Sequence, residues 1–164
     1  MNKKLVFIGL IIAFFTTGSF AAPFEDLGNG VIQDKATGTY NGAAWTKCSY
    51  GQKNDAACSG NAGVLDQAGA VSYCQSLNSN GGFAGRTDWK LPQSSQLIRL
   101  VDASKSPKID TAYFPNIYGG GSYWGSDKSS DNKSGSTVDF STGSYVTSNL
   151  ANKWGVRCMS QYGK

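Results

Sequence analysis

The stretch Gly85-Arg86-Thr87-Asp88-Trp89-Lys90-Leu91-Pro92 divides the chain into two differently patterned halves. A glycine-rich break from Asn78 to Gly85 leads into it, and a helix start follows it. A proline before the first turn and Gln96 inside that turn predict a second helix that begins near Gln93 or Ser94. We call it the junction stretch, because it lies between the glycine-rich break and the predicted second helix.

Downstream of the junction, one helix is followed by several strands. Leu97, Leu100 and Val101 should face the core, and Ser106-Pro107 should end the helix. Alternating and aromatic-rich segments then predict short strands. These strands are expected at residues 122–126, 137–140, 145–147 and 154–158, with a polar loop at 127–135 and a tight turn at 141–144.

Upstream of the junction, the pattern predicts a hairpin and a first helix. Strands are expected at residues 30–34 and 43–47, with a turn at 35–38 between them. Asp66 can cap a helix that runs to about Asn78, since Ala70, Tyr73, Cys74 and Leu77 form one apolar stripe. Strands, two helices and further strands make an α+β protein. We expect two helices packed on short twisted antiparallel sheets.

Residues 1–21 have the features of a secretory signal peptide. Lys3 and Lys4 precede an apolar run from Leu5 to Phe15, and small residues at Ser19 and Ala21 suit cleavage after Ala21. The domain should then occupy residues 30–164, with 22–29 as an N-terminal extension, in a periplasmic, cell-surface or secreted protein that has no membrane span. Cleavage would lower the net charge from +4 to +2, which is too weak to indicate nucleic-acid binding.

The four cysteines, Cys48, Cys58, Cys74 and Cys158, indicate two disulfides in an exported chain. Three connectivities are open. In one of them Cys48 and Cys58 close a short local loop, and Cys74 and Cys158 tie the middle of the chain to its last strand. A zinc site is the competing interpretation, but the spacing lacks a C-x-x-C pair and the chain has no histidine.

The missing residue types argue against an enzyme. Without histidine, the catalytic triads and His-ligated metals are excluded. Glu25 is the only glutamate, and its position predicts that it precedes the fold. The glycine clusters lack the Lys and Ser/Thr of a phosphate-binding loop. We therefore expect a binding protein.

Several segments, in the expected order, resemble the Lcl C-terminal domain family, named for the end domain of a collagen-like adhesin. The junction stretch is the most specific match. The other matching segments are 34–38, 45–48, 73–78, 114–116, 123–126, 138–143 and 156–158. The resemblance covers roughly residues 28–160. It implies a C-type-lectin-like fold with paired chain ends, a Cys74–Cys158 disulfide, and a surface or secreted module for adhesion. The adhesin's end domain binds sulfated glycans and forms trimers, but this chain has no collagen repeat to enforce a trimer.

The resemblance also suggests where a ligand binds, since residues 118–154 supply the ligand face in C-type-lectin-like folds. Aromatic and planar polar side chains suit sugars and protein hot spots. The candidate ligand-binding residues are Tyr123, Trp124, Asp127, Lys128, Asn132, Lys133, Asn149 and Trp154. The competing interpretation is a plain polar loop over buried aromatics, as we expect for Trp45 and Trp89 in the core. Arg86 and Asp88 are expected to form an internal salt bridge and turn cap.

The expected partner is a glycan or a cell-surface protein, with a homo-oligomer as a further option. We expect no cofactor. Calcium would have to rely on Asp127, Asp131 and Asp139, since the motifs of calcium-dependent lectins are absent. Two alternatives stay open: a structural subunit of a surface assembly, and an accessory protein like the formylglycine-generating oxidases, whose Leu-Pro helix start is similar to Leu91-Pro92. The second requires free cysteines.

Overall fold

The computed structural model describes residues 23–35 and 42–161. The signal peptide expected at 1–21 and most of the turn expected at 35–38 lie outside these residues. The described part is a mixed α/β structure with two helices, two antiparallel sheets and two disulfides. None of its helices has the length and apolar character needed to cross a bilayer.

The larger sheet joins the two ends of the chain. Its five strands are β1 (Phe24–Asp26), β2 (Val31–Asp34), β3 (Ala43–Thr46), β4 (Trp89–Lys90) and β8 (Met159–Gln161), in the order β1-β2-β3-β8-β4. Strand β3 pairs with β8, so the expected pairing of the chain ends is present. Glu25 pairs opposite Gln33. The residue expected to precede the fold therefore lies in an edge strand of this sheet.

Both helices begin where the sequence predicts. Helix α1 spans Gln67–Ser76, and the Asp66 carboxylate accepts a hydrogen bond from the Gly69 amide at 2.7 Å. Helix α2 spans only Ser94–Leu97 and continues as a 3-10 turn over Ile98–Leu100. The expected end at Ser106-Pro107 is wrong because the backbone becomes extended at Val101, which bridges to Ile109.

The smaller sheet consists of β5 (Ser122–Lys128), β6 (Ser134–Asp139) and β7 (Ser144–Asn149), in chain order. The loop expected at 127–135 is shorter than predicted, since Lys128 still pairs with Gly135. The strand expected at 154–158 is also wrong. Trp154 and Gly155 make only isolated bridges, to Leu65 and Tyr123, because this segment crosses between the two sheets before β8 begins.

Two buried clusters hold the sheets and helices together. One contains Trp45 with Leu97 and Leu100, and the other contains Trp89 and the Cys74–Cys158 disulfide. Trp45 and Trp89 are each 1% exposed, so the prediction that they are core aromatics is confirmed. Burial of large apolar side chains stabilises such a fold by about 2 kcal/mol each.

The disulfides are Cys48–Cys58 and Cys74–Cys158, and no cysteine is free. Of the three connectivities that the sequence left open, the structure has the one that closes a local loop and ties α1 to the residue before β8. Closed disulfides are consistent with an exported protein, since they persist in oxidising compartments.

Arg157 lies in the crossing segment and is fully buried. Its guanidinium donates hydrogen bonds to the carbonyl oxygens of Thr46 and Lys47 and stacks over the Phe114 ring at 4.6 Å. These contacts offset part of the cost of burying the charge. They anchor the segment between the sheets to β3.

Candidate binding surface

Two of the candidate ligand-binding residues belong to the core. Tyr123 and Trp124 are fully buried, in contrast to the expectation that they face a ligand. The Tyr123 hydroxyl lies 2.7 Å from Ser49 Oγ and accepts a hydrogen bond from the Tyr118 amide at 2.7 Å. The Trp124 indole donates to the Leu65 carbonyl oxygen at 2.8 Å. Both aromatic rings therefore support the smaller sheet from inside.

Two more candidates are half-buried and have partners within the protein. One carboxylate oxygen of Asp127 accepts hydrogen bonds from the amide and the hydroxyl of Ser94, each at 2.6 Å. The Trp154 indole donates to Ser148 Oγ at 2.7 Å. Asp127 thus attaches the end of β5 to the first turn of α2, and Trp154 attaches the crossing segment to β7.

The remaining four candidates, Lys128, Asn132, Lys133 and Asn149, are exposed and lie at one end of the smaller sheet. The strand register brings them together, because Lys128 pairs with Gly135 and Ser134 pairs with Asn149. The structure therefore unites half of the residues selected from the sequence.

Lys153 belongs to the same end of the sheet and was missed by sequence reasoning. The loop in which it is exposed begins at Leu150, whose amide donates to the Lys133 carbonyl oxygen at 3.2 Å. Lys153 lies inside the segment 118–154 that the sequence analysis selected as the ligand face. The sequence does not show, however, that the loop carrying Lys153 returns to the β5–β6 turn. We call the surface formed by Lys128, Asn132, Lys133, Asn149 and Lys153 the basic tip.

The turn that carries much of the basic tip is ordered by its own hydrogen bonds. The Asp131 carboxylate accepts from Ser129 Oγ at 2.5 Å and from the Lys133 amide at 3.0 Å. These bonds, the Ser129 one first, hold the pKa of Asp131 below its ordinary value. Asn132 takes a left-handed backbone with φ of 53°, which Asn tolerates better than most residues. The turn therefore holds its two lysines at defined places.

The lysines of the basic tip have no acidic partner. Within residues 23–35 and 42–161 the salt bridges involve Lys35, Lys47 and Arg99 only. The carboxylates nearest along the chain to Lys128 and Lys133 are Asp127, which accepts from Ser94, and Asp131, which accepts from its own turn. Unpaired ammonium groups beside amide side chains can form charge-assisted hydrogen bonds to sulfate or carboxylate groups.

None of the five residues of the basic tip is aromatic, and the adjacent Trp154 is half-buried with its indole bonded to Ser148 Oγ. The exposed aromatic of the smaller sheet is Tyr145, 54% exposed, with Val146 beside it at 40%. Tyr145 lies at the other end of β7, about 13 Å from Asn149 along the strand. The chemistry of the tip is therefore that of an anion-binding surface.

The described residues contain no cluster of three or more His, Cys, Asp or Glu side chains that could hold a metal ion. Asp127 binds Ser94, Asp131 binds Ser129, and Asp139 binds Ser141 at the opposite end of β6. The three aspartates considered for calcium thus do not converge.

The junction stretch, residues 85–92, is held in the fold by hydrogen bonds to both of its neighbouring segments. Trp89 donates its indole N–H to the Phe83 carbonyl oxygen at 3.0 Å, and Asn78 bonds the Trp89 backbone through both its amide atoms. Asp88 accepts a hydrogen bond from Ser160 Oγ of β8 at 2.5 Å. The stretch therefore ties the break after α1 to the strand at the end of the chain.

Comparison with known protein families gives a match over most of the chain. No curated protein matches the chain. The family model described as the Lcl C-terminal domain matches residues 30–160, which is most of the chain and includes both disulfides and the basic tip. Membership of that family indicates a surface-associated domain. The chain therefore belongs to the Lcl C-terminal domain family.

Proposed function

We propose that this protein is an exported, non-enzymatic binding module that adheres to acidic glycans through the basic tip. The observation that carries the proposal is the presence, at one ordered end of the smaller sheet, of three exposed lysines that have no acidic partner among residues 23–35 and 42–161. We further propose that the fold is C-type-lectin-like. The paired chain ends and the disulfide from α1 to the residue before β8 support that assignment.

Charge and geometry favour a polyanionic glycan over a neutral one. The tip offers ammonium groups and side-chain amides but no stacking ring, so sulfate and carboxylate groups provide the matching chemistry. Exposed ion pairs contribute about 0.2–1 kcal/mol each, so a single lysine–sulfate contact is weak. Binding therefore depends on the three lysines contacting several sulfates of one glycan chain at the same time.

Two features rigidify the tip before a ligand arrives. Asp131 closes the β5–β6 turn, and Asp127 attaches β5 to α2. A preorganised surface loses less side-chain and loop entropy on binding than a mobile one. This rigidity supports recognition by a small number of contacts.

The accessory-protein alternative requires a reactive thiol. All four cysteines are in disulfides, and three of them are fully buried. A disulfide sulfur has no proton to lose and cannot act as the thiolate nucleophile that such chemistry needs. The binding proposal is the better supported of the two.

The test is binding of the exported protein to heparin and to desulfated heparin, by calorimetry at two salt concentrations, with calcium and with chelator. We expect binding to heparin that weakens with salt and is lost on desulfation. The triple variant K128Q/K133Q/K153Q should bind about 10- to 100-fold more weakly, if each lysine contributes about 0.5–0.9 kcal/mol.

The matched control is K53Q/K90Q/K105Q, which removes three exposed lysines outside the tip and has the same net charge. It should bind like the parent protein. Equal losses in both variants would show that overall charge, not the tip, attracts the glycan. No binding of any glycan by the parent protein would refute the proposal and turn attention to a protein partner or an assembly role.

A further inference from the structure

A cavity of about 450 Å³ opens on a different part of the protein from the basic tip. It lies between the start of β1, the end of β2 and the segment that follows the 3-10 turn. Phe24, Leu100 and Val101 contribute apolar wall, and none of its lining residues belongs to the tip. Cavities of this size with an apolar wall and a few convergent polar groups are the usual form of small-ligand sites.

The polar groups of the cavity are mainly acidic. Asp34, Asp102 and Asp110 line it, with Arg99 as the cation. Asp34 is 2% exposed, and one of its oxygens lies 3.2 Å from the Arg99 guanidinium. Three carboxylates and one guanidinium leave an excess of negative charge on the lining.

Asp102 and Asp110 are held in place but retain acceptor capacity. Oδ1 of Asp102 accepts from the amide of Ser104 at 2.9 Å and from its hydroxyl at 2.6 Å. Oδ1 of Asp110 accepts from the Ala112 amide at 3.0 Å. Within the described ranges, Oδ2 of each carboxylate accepts no hydrogen bond. Each can therefore receive one from a ligand.

Two neighbouring lysines, Lys105 and Lys108, offset this negative charge from outside the lining of the cavity. Lys108 donates to the Ala103 carbonyl oxygen at 3.1 Å, and Lys105 and Lys108 both attract Asp102 electrostatically. Neither lysine lines the cavity or forms a salt bridge with Asp102 or Asp110. The two free carboxylate oxygens therefore remain available to a cation inside the cavity.

We propose that this cavity binds a small organic ammonium ion, with its charged nitrogen at Asp102 and Asp110 and its apolar body against Leu100 and Val101. Ca²⁺ or Mg²⁺ matches the site less well, because each takes six or more oxygen ligands and gains nothing from an apolar wall. An ammonium group needs only acceptors for its N–H bonds, and burial of the hydrocarbon body adds about 0.8 kcal/mol per CH₂.

The test uses n-pentylamine as the probe and amide chemical shifts of the exported protein as the readout. We expect saturable shifts at the cavity residues, weaker binding of methylamine, and no comparable binding of n-pentanol or pentanoate. Asp102→Asn and Asp110→Asn should each weaken pentylamine binding about tenfold, which corresponds to 1.4 kcal/mol.

The matched control is Asp139→Asn. Asp139 also accepts from the amide and hydroxyl of a serine two residues later, at 2.7 and 2.6 Å, but it does not line the cavity. It should leave binding unchanged. Val101→Thr should weaken pentylamine but not methylamine, since it alters only the half-buried apolar wall.

Three results would each overturn the proposal. One is equal binding of pentanol and pentylamine, another is an equal loss in Asp139→Asn, and the third is an absence of shifts at the cavity residues. K128Q/K133Q/K153Q should keep full amine binding. A failure of the glycan proposal and a failure of the cavity proposal are thus distinguishable.

Discussion

Removal of the Cys74–Cys158 disulfide in C74A/C158A should destabilise the protein more than removal of Cys48–Cys58 in C48A/C58A. The first bond joins residues 84 positions apart and the second joins residues 10 apart. In the chain-entropy treatment these loops correspond to about 4.6 and 2.7 kcal/mol. The difference of about 2 kcal/mol arises in the unfolded chain, which the longer loop restricts more strongly.

The local losses in the two variants are similar, which makes the comparison informative. Cys74, Cys158 and Cys58 are fully buried, and Cys48 is 9% exposed. Each variant therefore loses two buried sulfur atoms. A small domain has only about 5–15 kcal/mol of stability, so loss of the longer link should leave a marginal fold.

Urea unfolding followed by tryptophan fluorescence measures the effect, with the remaining disulfide closed in each variant. C74A/C158A should show the lower midpoint and the steeper slope, because its unfolded chain is the more expanded. Equal midpoints, or a lower midpoint for C48A/C58A, would refute the reasoning. In that case the bond from α1 to the residue before β8 would not be the main covalent constraint.

Three further predictions concern single residues. Gly82→Ala should destabilise by more than Gly81→Ala in urea unfolding. Both glycines have φ near +80°, which costs Ala about 1–2 kcal/mol, but a Cβ at Gly82 would also lie 1.9 Å from a backbone oxygen whereas Gly81 is open. Asp66→Ala should cost about 1 kcal/mol, with Asn at that position as the capping control, and an equal loss in both would reject the cap. The hydrogen bond from Lys47 holds the pKa of Asp26 below its ordinary value in the folded protein. The Asp26–Lys47 pair therefore contributes fully to stability above the pKa that Asp26 has in the unfolded chain, and this contribution is lost as pH falls through the lower pKa of the folded state. Asp26→Asn should flatten the acid side of the stability profile, and an unchanged profile would contradict this.

The local elements were largely predictable because local chemistry specifies them. The cap at Asp66 and the stripe through Ala70 and Cys74 define α1 within a few residues. The β2–β3 hairpin follows from two apolar runs separated by turn residues.

The C-terminal half was less predictable because strand identity there depends on distant partners. Residues 154–158 have strand-forming side chains but lie between two sheets, with Arg157 bonded to carbonyl oxygens more than 100 positions earlier. The same limit explains the loop expected at 127–135. Lys128 and Gly135, near the two ends of that expected loop, pair with each other across the hairpin, and only this pairing shows where the two strands end.

The candidate binding residues were also predictable only where their surroundings depend on nearby sequence. Successive strand residues face opposite sides of a sheet, so alternation alone predicts burial of only one of Tyr123 and Trp124. Both are buried because β5 lies between the two clusters, with Tyr123 in one and Trp124 in the other, and only the tertiary packing shows this. Lys153 was missed because its neighbourhood depends on the return of a loop to the β5–β6 turn.

The sequence by itself determined the α+β class, the helix starts, the pairs of segments that form hairpins and the presence of two disulfides, because these depend on residues close together in the chain. The tertiary structure alone decided which cysteines pair, which aromatics are buried, how the basic tip assembles and where a cavity opens between β1 and the segment after α2. These features depend on contacts between residues tens of positions apart, and such contacts form only when the two sheets pack around their shared cores.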